Sequence, residues 1–274
     1  MTGSIRRRNF IALLGSAAVG WPLTVRAQQP DNQVSALIDR ILRMQAEAVA
    51  EKVGQFVEEI ERQMGWMTQL PWSTTSIDAW RFDAVRLLRQ VPAITEIAQL
   101  DSTGREQALV SRVAADVIGR QTDHSQHPKF VEAMASKHYY GPVYFRRESE
   151  PDMTLAIAGT RREYGVVVAE VNLKLVQHLV SSTKVDERGV AYVVDAQDQI
   201  IAHPELSLIR RNVSALAHVK AAHGAGSSSP STSQVTHDSN GREVLAVCAP
   251  IPRTGWLVVV ELPVEEANAL RPKE

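Results

Sequence analysis

The 274-residue chain contains one cysteine, Cys248. Beyond its N-terminal segment no apolar run approaches the roughly 20 residues that span a bilayer. A lone cysteine excludes an internal disulfide and paired-cysteine redox chemistry. Aromatic residues make up only 5% of the chain, and charge of neither sign prevails: 30 Lys and Arg stand against 31 Asp and Glu, net −1. Without a basic footprint, nucleic acid is not an expected partner. There is no Gly-x-Ser-x-Gly elbow, no phosphate-cradling glycine loop and no His-Glu-x-x-His pair. Neither an enzyme nor a cofactor-bearing or metal protein is expected. What is present, 44% hydrophobic and 22% charged residues, describes an ordinary globular chain with enough material for one large domain or two small ones.

Arg6, Arg7 and Arg8 precede the apolar run Phe10 to Trp21, and Val25-Arg26-Ala27 puts small residues where a leader peptidase reads before Gln28. These are the n-region, h-region and cleavage site of an export signal. Arg7-Arg8-Asn9-Phe10 also fits the twin-arginine pattern, which many ordinary secretory leaders share. The apolar core is about a dozen residues, too short for an anchor, and Gly15 and Gly20 interrupt it. Removal of residues 1–27 takes four arginines and no acid, moving the net charge from −1 to about −5. The expected location is the periplasm, or the inner membrane surface if the leader is retained.

From Asp31 onward, Leu42, Val49 and Phe56 recur at seven-residue spacing, as do Val53, Ile60 and Met67. The spacing predicts one long amphipathic helix over 31–70, about 50 Å at 1.5 Å per residue. Its stripe suits either a second copy, giving a homodimer, or the chain's own sheet. Ile77, Trp80, Ala84, Leu87 and Leu88 predict a second helix, ended by Pro92. Ile94 to Leu100 and Gln107 to Val113 flank the turn Asp101-Ser102-Thr103-Gly104 as a hairpin. Pro128 opens a short helix, and Val143 to Arg146, Met153 to Gly159 and Val166 to Val171 add strands, making five in one antiparallel sheet. Leu173 to Ser182 reads as a connecting helix. Val190 to Val194, Ile200 to His203, Val244 to Ala249 and Trp256 to Leu262 then form a second sheet, with a flexible loop at Gly224 to Ser233.

The run Gly189-Val190-Ala191-Tyr192-Val193-Val194-Asp195, followed after a turn by Ile201-Ala202-His203-Pro204, resembles the membrane-proximal half of a double Cache sensor domain. Asp101 to Gly104, Pro128-Lys129-Phe130, Tyr140-Gly141-Pro142-Val143-Tyr144 and Gly165 to Leu173 resemble the membrane-distal half, in the expected order. The resemblance implies an α+β fold: a long N-terminal helix carrying two PAS-like antiparallel modules. The corresponding boundaries are signal peptide 1–27, helix 31–70, distal module 71–178, proximal module 179–264 and tail 265–274. It also implies a small-molecule sensor, part of a chemoreceptor, histidine kinase or nucleotide cyclase, with the ligand in the distal module. The sequence departs from the family in carrying a leader in place of an anchor, and in showing no second membrane helix or output domain. A free sensor that needs a membrane signalling partner, or a piece of a longer receptor, is expected. Glu170 stands where amine- and amino-acid-binding members have an aspartate, and Phe130 where they have a tyrosine, so amino-acid recognition is not implied.

Tyr139, Tyr140, Tyr144, Arg146 and Arg147 lie within nine positions, in a chain with five tyrosines in all. Aromatic walls and an arginine fork line a pocket for a small organic ligand, a carboxylate or an amine, unless these side chains merely cover a solvated sheet face. Arg112 and Glu170 are further candidates, either reading an amino-carboxylate or pairing with each other. Any anionic group is expected on Arg146 or Arg112. Asp123, His124 and His127 are spaced for a helix entry and not for a metal. A solute-binding protein for a transporter is the alternative reading, disfavoured because such proteins are built of parallel strand-helix-strand units; a hydrolase is the other. The intact mass of protein recovered from the periplasm is expected to match a chain that begins at Gln28, and a full-length species retained in membranes contradicts that reading.

Overall fold

The computed structural model describes residues 28–69, 76–147, 150–185, 187–225 and 230–270. The expected leader, part of the Gly/Ser/Pro-rich loop, the Arg147 side chain and the end of the tail lie outside the described residues. Helix α1 spans Gln28–Gly65, about 57 Å long, and a short 3-10 turn, Trp66–Thr68, ends it. Leu42, Val49, Val53, Ile60 and Met67 are all buried, and Ile38, Ala46, Val57 and Met64 complete the stripe. Helix α2, Ile77–Gln90, starts on Ser76, whose hydroxyl accepts the Ala79 N–H at 3.1 Å.

The first sheet is seven-stranded and antiparallel: β1 (Ile94–Leu100), β2 (Glu106–Ser111), β3 (Val117–Ile118), β4 (His138–Tyr140), β5 (Tyr144–Arg147), β6 (Glu150–Ala158) and β7 (Val166–Asn172). Its order is β3-β2-β1-β7-β6-β4, with β5 also paired to β6. Two strands, β3 and β4, exceed the five expected, because each is too short to show an alternating pattern. Helix α3, Pro128–Ser136, lies between β3 and β4, and α4, Lys174–Ser182, leads to the second sheet. There β8 (Val190–Val194), β9 (Ile200–Ala202), β10 (Gln234–His237), β11 (Glu243–Ile251) and β12 (Trp256–Pro263) run in the order β10-β11-β12-β8-β9. Helix α5, Ala217–Ala225, stands before the expected loop in a stretch for which no element was expected, and α6 is Val264–Ala269.

One turn chemistry recurs three times. Asp101 Oδ1 accepts the N–H groups of Thr103 and Arg105, Asp195 Oδ1 those of Gln197 and Gln199, and Asp238 Oδ1 those of Asn240 and Arg242, at 2.8 to 3.1 Å. A carboxylate that folds back on the next backbone amides fixes each hairpin. Gly104 and Gly241 take φ of +85° and +82° in two of them. At Gly104 a Cβ would lie 2.7 Å from the Ser125 backbone, so that turn admits glycine alone.

The stripe of α1 settles which partner covers it. It shares one core with Ile97, Leu155, Val167 and Ala169 of the first sheet and with Val193, Val247, Val258 and Val260 of the second. The chain's own sheets therefore occupy the face that the heptad spacing offered to a second copy. Among the large apolar side chains of α1 in the described residues, Leu37, Ile41 and Met44, on another side of the helix, stay exposed. Near the C-terminal end of the helix the packing is closed by charge. Glu61, 6% exposed, accepts Tyr140 Oη of the first sheet at 2.5 Å and Arg253 Nη1 of the β11–β12 turn at 2.6 Å. One carboxylate thus ties helix and both sheets together. Val53→Asp is expected to abolish cooperative unfolding by placing a charge in this core. Glu61→Ala should cost about 2 kcal/mol in urea denaturation, since it strips the half-buried Tyr140 hydroxyl and Arg253 of their shared acceptor. Glu58→Ala, which removes only an exposed ion pair with Arg253, should cost about 0.5 kcal/mol or less; equal losses contradict this role for Glu61.

Candidate functional site

The two faces of the first sheet differ in chemistry. Toward α1 and α2 point Ile97, Val110, Leu155, Val167 and Ala169, all aliphatic. The opposite face carries Ala98, Leu100, Ala156, Ala158, Val166 and Val168 beneath Phe130 and Ala133 of α3. Beyond that apolar floor the alternation delivers polar groups to the same face. Glu96 of β1, Glu170 of β7 and Thr154 of β6 are register neighbours across three adjacent strands.

Glu170 is the centre of this row. Its Oε2 accepts Tyr144 Oη at 2.5 Å, and both of its oxygens lie 3.0 Å from Thr154 Oγ1. Burial pushes its pKa above the usual glutamate value of 4.5, against the pull of the Tyr144 and Thr154 hydrogen bonds and of Lys129, while Glu96 adds to the rise. Tyr144 is pushed up by its own burial and by Glu170. Arg146 is already engaged: Nε lies 2.9 Å from Asp152 Oδ2, Nη1 3.3 Å from Glu96 Oε1, and Nη2 3.4 Å from Tyr144 Oη. Asp152, buried and raised in pKa by that burial, accepts Asn172 Nδ2 at 2.8 Å. Two carboxylates therefore occupy the one guanidinium, and Glu170 is held by hydroxyls.

The structure brings four of the six candidates together. Tyr144, Arg146 and Glu170 form the cluster, and Tyr139, buried beside Ala156, belongs to the same face. Tyr140 points the other way, as strand alternation requires of its neighbour, and serves Glu61. Arg112 is exposed and donates from Nε to the Ile94 carbonyl at 2.9 Å, not to Glu170. Sequence reasoning missed Glu96, Asp152 and Thr154. The signal was there: Glu96 precedes Ala98 and Leu100, and Asp152 and Thr154 precede Ala156 and Ala158, at the two-residue spacing of one strand face. His127 accepts the Lys129 N–H on Nδ1 and caps α3, and His124 Nε2 lies 3.4 Å from Glu106 Oε2. Among the described residues no three His, Cys, Asp or Glu side chains are grouped to hold a metal ion.

Comparison with known proteins places this geometry in a family. The Cache domain family model, of the double type, matches residues 27–270. No curated protein matches significantly. Among solved structures, the ligand-binding domain of the Pseudomonas aeruginosa amino acid chemoreceptor PctC, in complex with GABA, superposes with a TM-score of 0.62 at 13% identity, covering 82% of this chain and 99% of that one. That of the Pseudomonas fluorescens chemoreceptor CtaA, with L-isoleucine, gives 0.62 at 17% identity, covering 87% and 98%. An extracellular domain assigned to a histidine kinase, mmHK1S-Z2, gives 0.68 at 15% identity, covering 85% and 99%. With a long helix, two antiparallel modules of matching strand order and a family match over nearly its whole length, the chain belongs to the double Cache family of sensor domains.

Proposed function

We propose that this protein is an exported sensor whose distal module binds a small organic amine, with Glu170 as the anchor for the ammonium group. The observation that carries this reading is the imbalance of the cluster. Arg146 is taken up by Glu96 and Asp152, so it offers no free fork to a carboxylate, and Glu170 retains a partly desolvated charge faced by hydroxyls. Buried charge is stable only when paired. A ligand ammonium supplies the missing partner, and Tyr139 with the apolar floor under α3 supplies contact for its carbon skeleton. The ligands named for the solved relatives, GABA and L-isoleucine, each carry an amino group. The anion-holding role expected of Arg146 and Arg112 is replaced by this reading.

Signalling would run through α1, the element whose stripe both modules share. A ligand shifts an equilibrium only by binding two states unequally, and an ammonium that draws on Glu170 alters the sheet that packs on the helix. A membrane signalling partner would read the displacement. No helix among the described residues is long and apolar enough to cross a membrane.

Thermal-shift and calorimetric screening of primary amines, amino acids and small carboxylates tests the reading. Amines are expected to stabilise the protein, and Glu170→Gln to weaken the best of them at least about tenfold, the size of a charge-assisted hydrogen bond. Because the folded-state pKa of Glu170 lies above 4.5, the ionised group costs stability at neutral pH, and an amine offsets that cost. As pH falls through that raised pKa, Glu170 takes a proton and amine affinity should drop, beginning at a pH above the ordinary glutamate range. In Glu170→Gln that drop should be missing. Selective binding of carboxylates, untouched by Glu170→Gln, contradicts the proposal.

A further inference from the structure

A cavity of about 110 Å³ opens in the proximal module between β8, β9 and β12 and the segments 203–208 and 238–242. Glu261 of β12 lines it and is only 5% exposed. Glu261 Oε1 accepts Tyr192 Oη at 2.7 Å and lies 3.2 Å from His218 Nε2. The far edge of that imidazole, Nδ1, is buried and has no partner. The other charges at the cavity are spoken for. Asp238 Oδ2 holds Arg242 Nε at 2.8 Å, and Glu205, at the exposed rim, adds only more negative charge. Among the described residues no lysine or arginine pairs with Glu261.

A buried carboxylate with no lysine or arginine beside it lacks a permanent cationic partner, and the adjoining cavity has the chemistry to take a small organic cation. Val190, Ile200 and Leu208 give it an apolar side. His203, buried on the cavity wall, accepts the Glu205 N–H on Nδ1 at 2.9 Å, which leaves Nε2 carrying the proton. That N–H suits a hydroxyl or other acceptor and repels a metal ion. Burial lowers the His203 pKa and keeps the ring neutral. A cavity of ~150 Å³ holds benzene, so this one has room for about four non-hydrogen atoms.

The two modules also repeat one another here. β12 lies between β11 and β8 as β7 lies between β6 and β1. Glu261 follows Leu257 and Val259 on the face toward α5, as Glu170 follows Val166 and Val168 on the face toward α3. Each carboxylate accepts a tyrosine hydroxyl. We propose that the proximal module carries a second ligand site, in which Glu261 binds a short primary ammonium ion whose polar tail meets His203. The site is built from proximal residues alone and does not depend on the distal reading.

Calorimetry of the full chain with ethanolamine as the probe, in the Glu170→Gln background at constant ionic strength, tests it. The expected result is saturable one-to-one binding, weakened at least about tenfold when Glu261→Gln is added. Leu208→Trp fills the cavity without touching the hydrogen bonds of Glu261; it should weaken binding likewise, and it supplies the answer if Glu261→Gln does not fold. Absence of saturable heat, equal competition by potassium ion, or binding unchanged in the folded variants overturns the proposal. Because the distal carboxylate is already removed, none of these outcomes bears on the amine site at Glu170.

Discussion

The architecture depends on the sharing of one helical stripe between two sheets. Neither sheet of this chain buries both its faces by itself, and α1 covers the inner face of each along a continuous line from Ile38 to Met67. That face must be apolar, and it is aliphatic apart from Trp256 and the partly buried Tyr140 and Phe145. The cost of ordering a helix of 38 residues is met by burial from Ile38 onward, not by helical propensity. Glu61 adds direction to this nonspecific packing, because its hydrogen bonds to Tyr140 and Arg253 fix how the two modules sit on the helix at one point.

With the inner faces committed to the core, chemistry is left to the outer ones. Strand alternation then sorts residues with little freedom: Tyr139 and Tyr140 are adjacent in sequence yet lie on the outer face under α3 and in the tie to Glu61, respectively. On each outer face a helix, α3 or α5, covers part of the strands and leaves a carboxylate beyond it, on the strand that pairs on both sides. A central strand is the most rigid place in a sheet to hold a charged group, since its backbone is paired along its length.

Much of the fold was legible in the sequence because it rests on periodicity and turn chemistry. The heptads of α1, the proline that opens α3 and the Asp101 hairpin each emerge where expected. The Asp238-Ser239-Asn240-Gly241-Arg242 turn went unread although it repeats the residues of Asp101-Ser102-Thr103-Gly104-Arg105 nearly letter for letter; the low-complexity stretch before it obscured the strand it closes. Helix α5 was missed for lack of an amphipathic pattern, its length being supported by packing of Val219 and Ala222 on the second sheet. The candidate site was legible in part. Clustering of tyrosine and arginine pointed to β5, which carries Tyr144 and Arg146 of the cluster, whereas of the partners that change the meaning of Arg146 only Asp152 is on the next strand, and Glu96 is 50 residues away. A long-range ion pair leaves no local trace. The same limit applied to the α1 stripe, since spacing alone does not say whether an apolar face meets its own chain or another.

The account stands on Glu170 being a desolvated anchor with no ion-pair partner among the described residues. Carbon-13 NMR of the Glu170 side-chain carboxyl, followed as a function of pH, measures that property directly. The account predicts a titration midpoint above the ordinary glutamate value of 4.5, moving down when a binding amine is added, as an opposite charge beside a carboxylate requires. A midpoint at or below the ordinary value, unmoved by every amine that stabilises the protein, would contradict it.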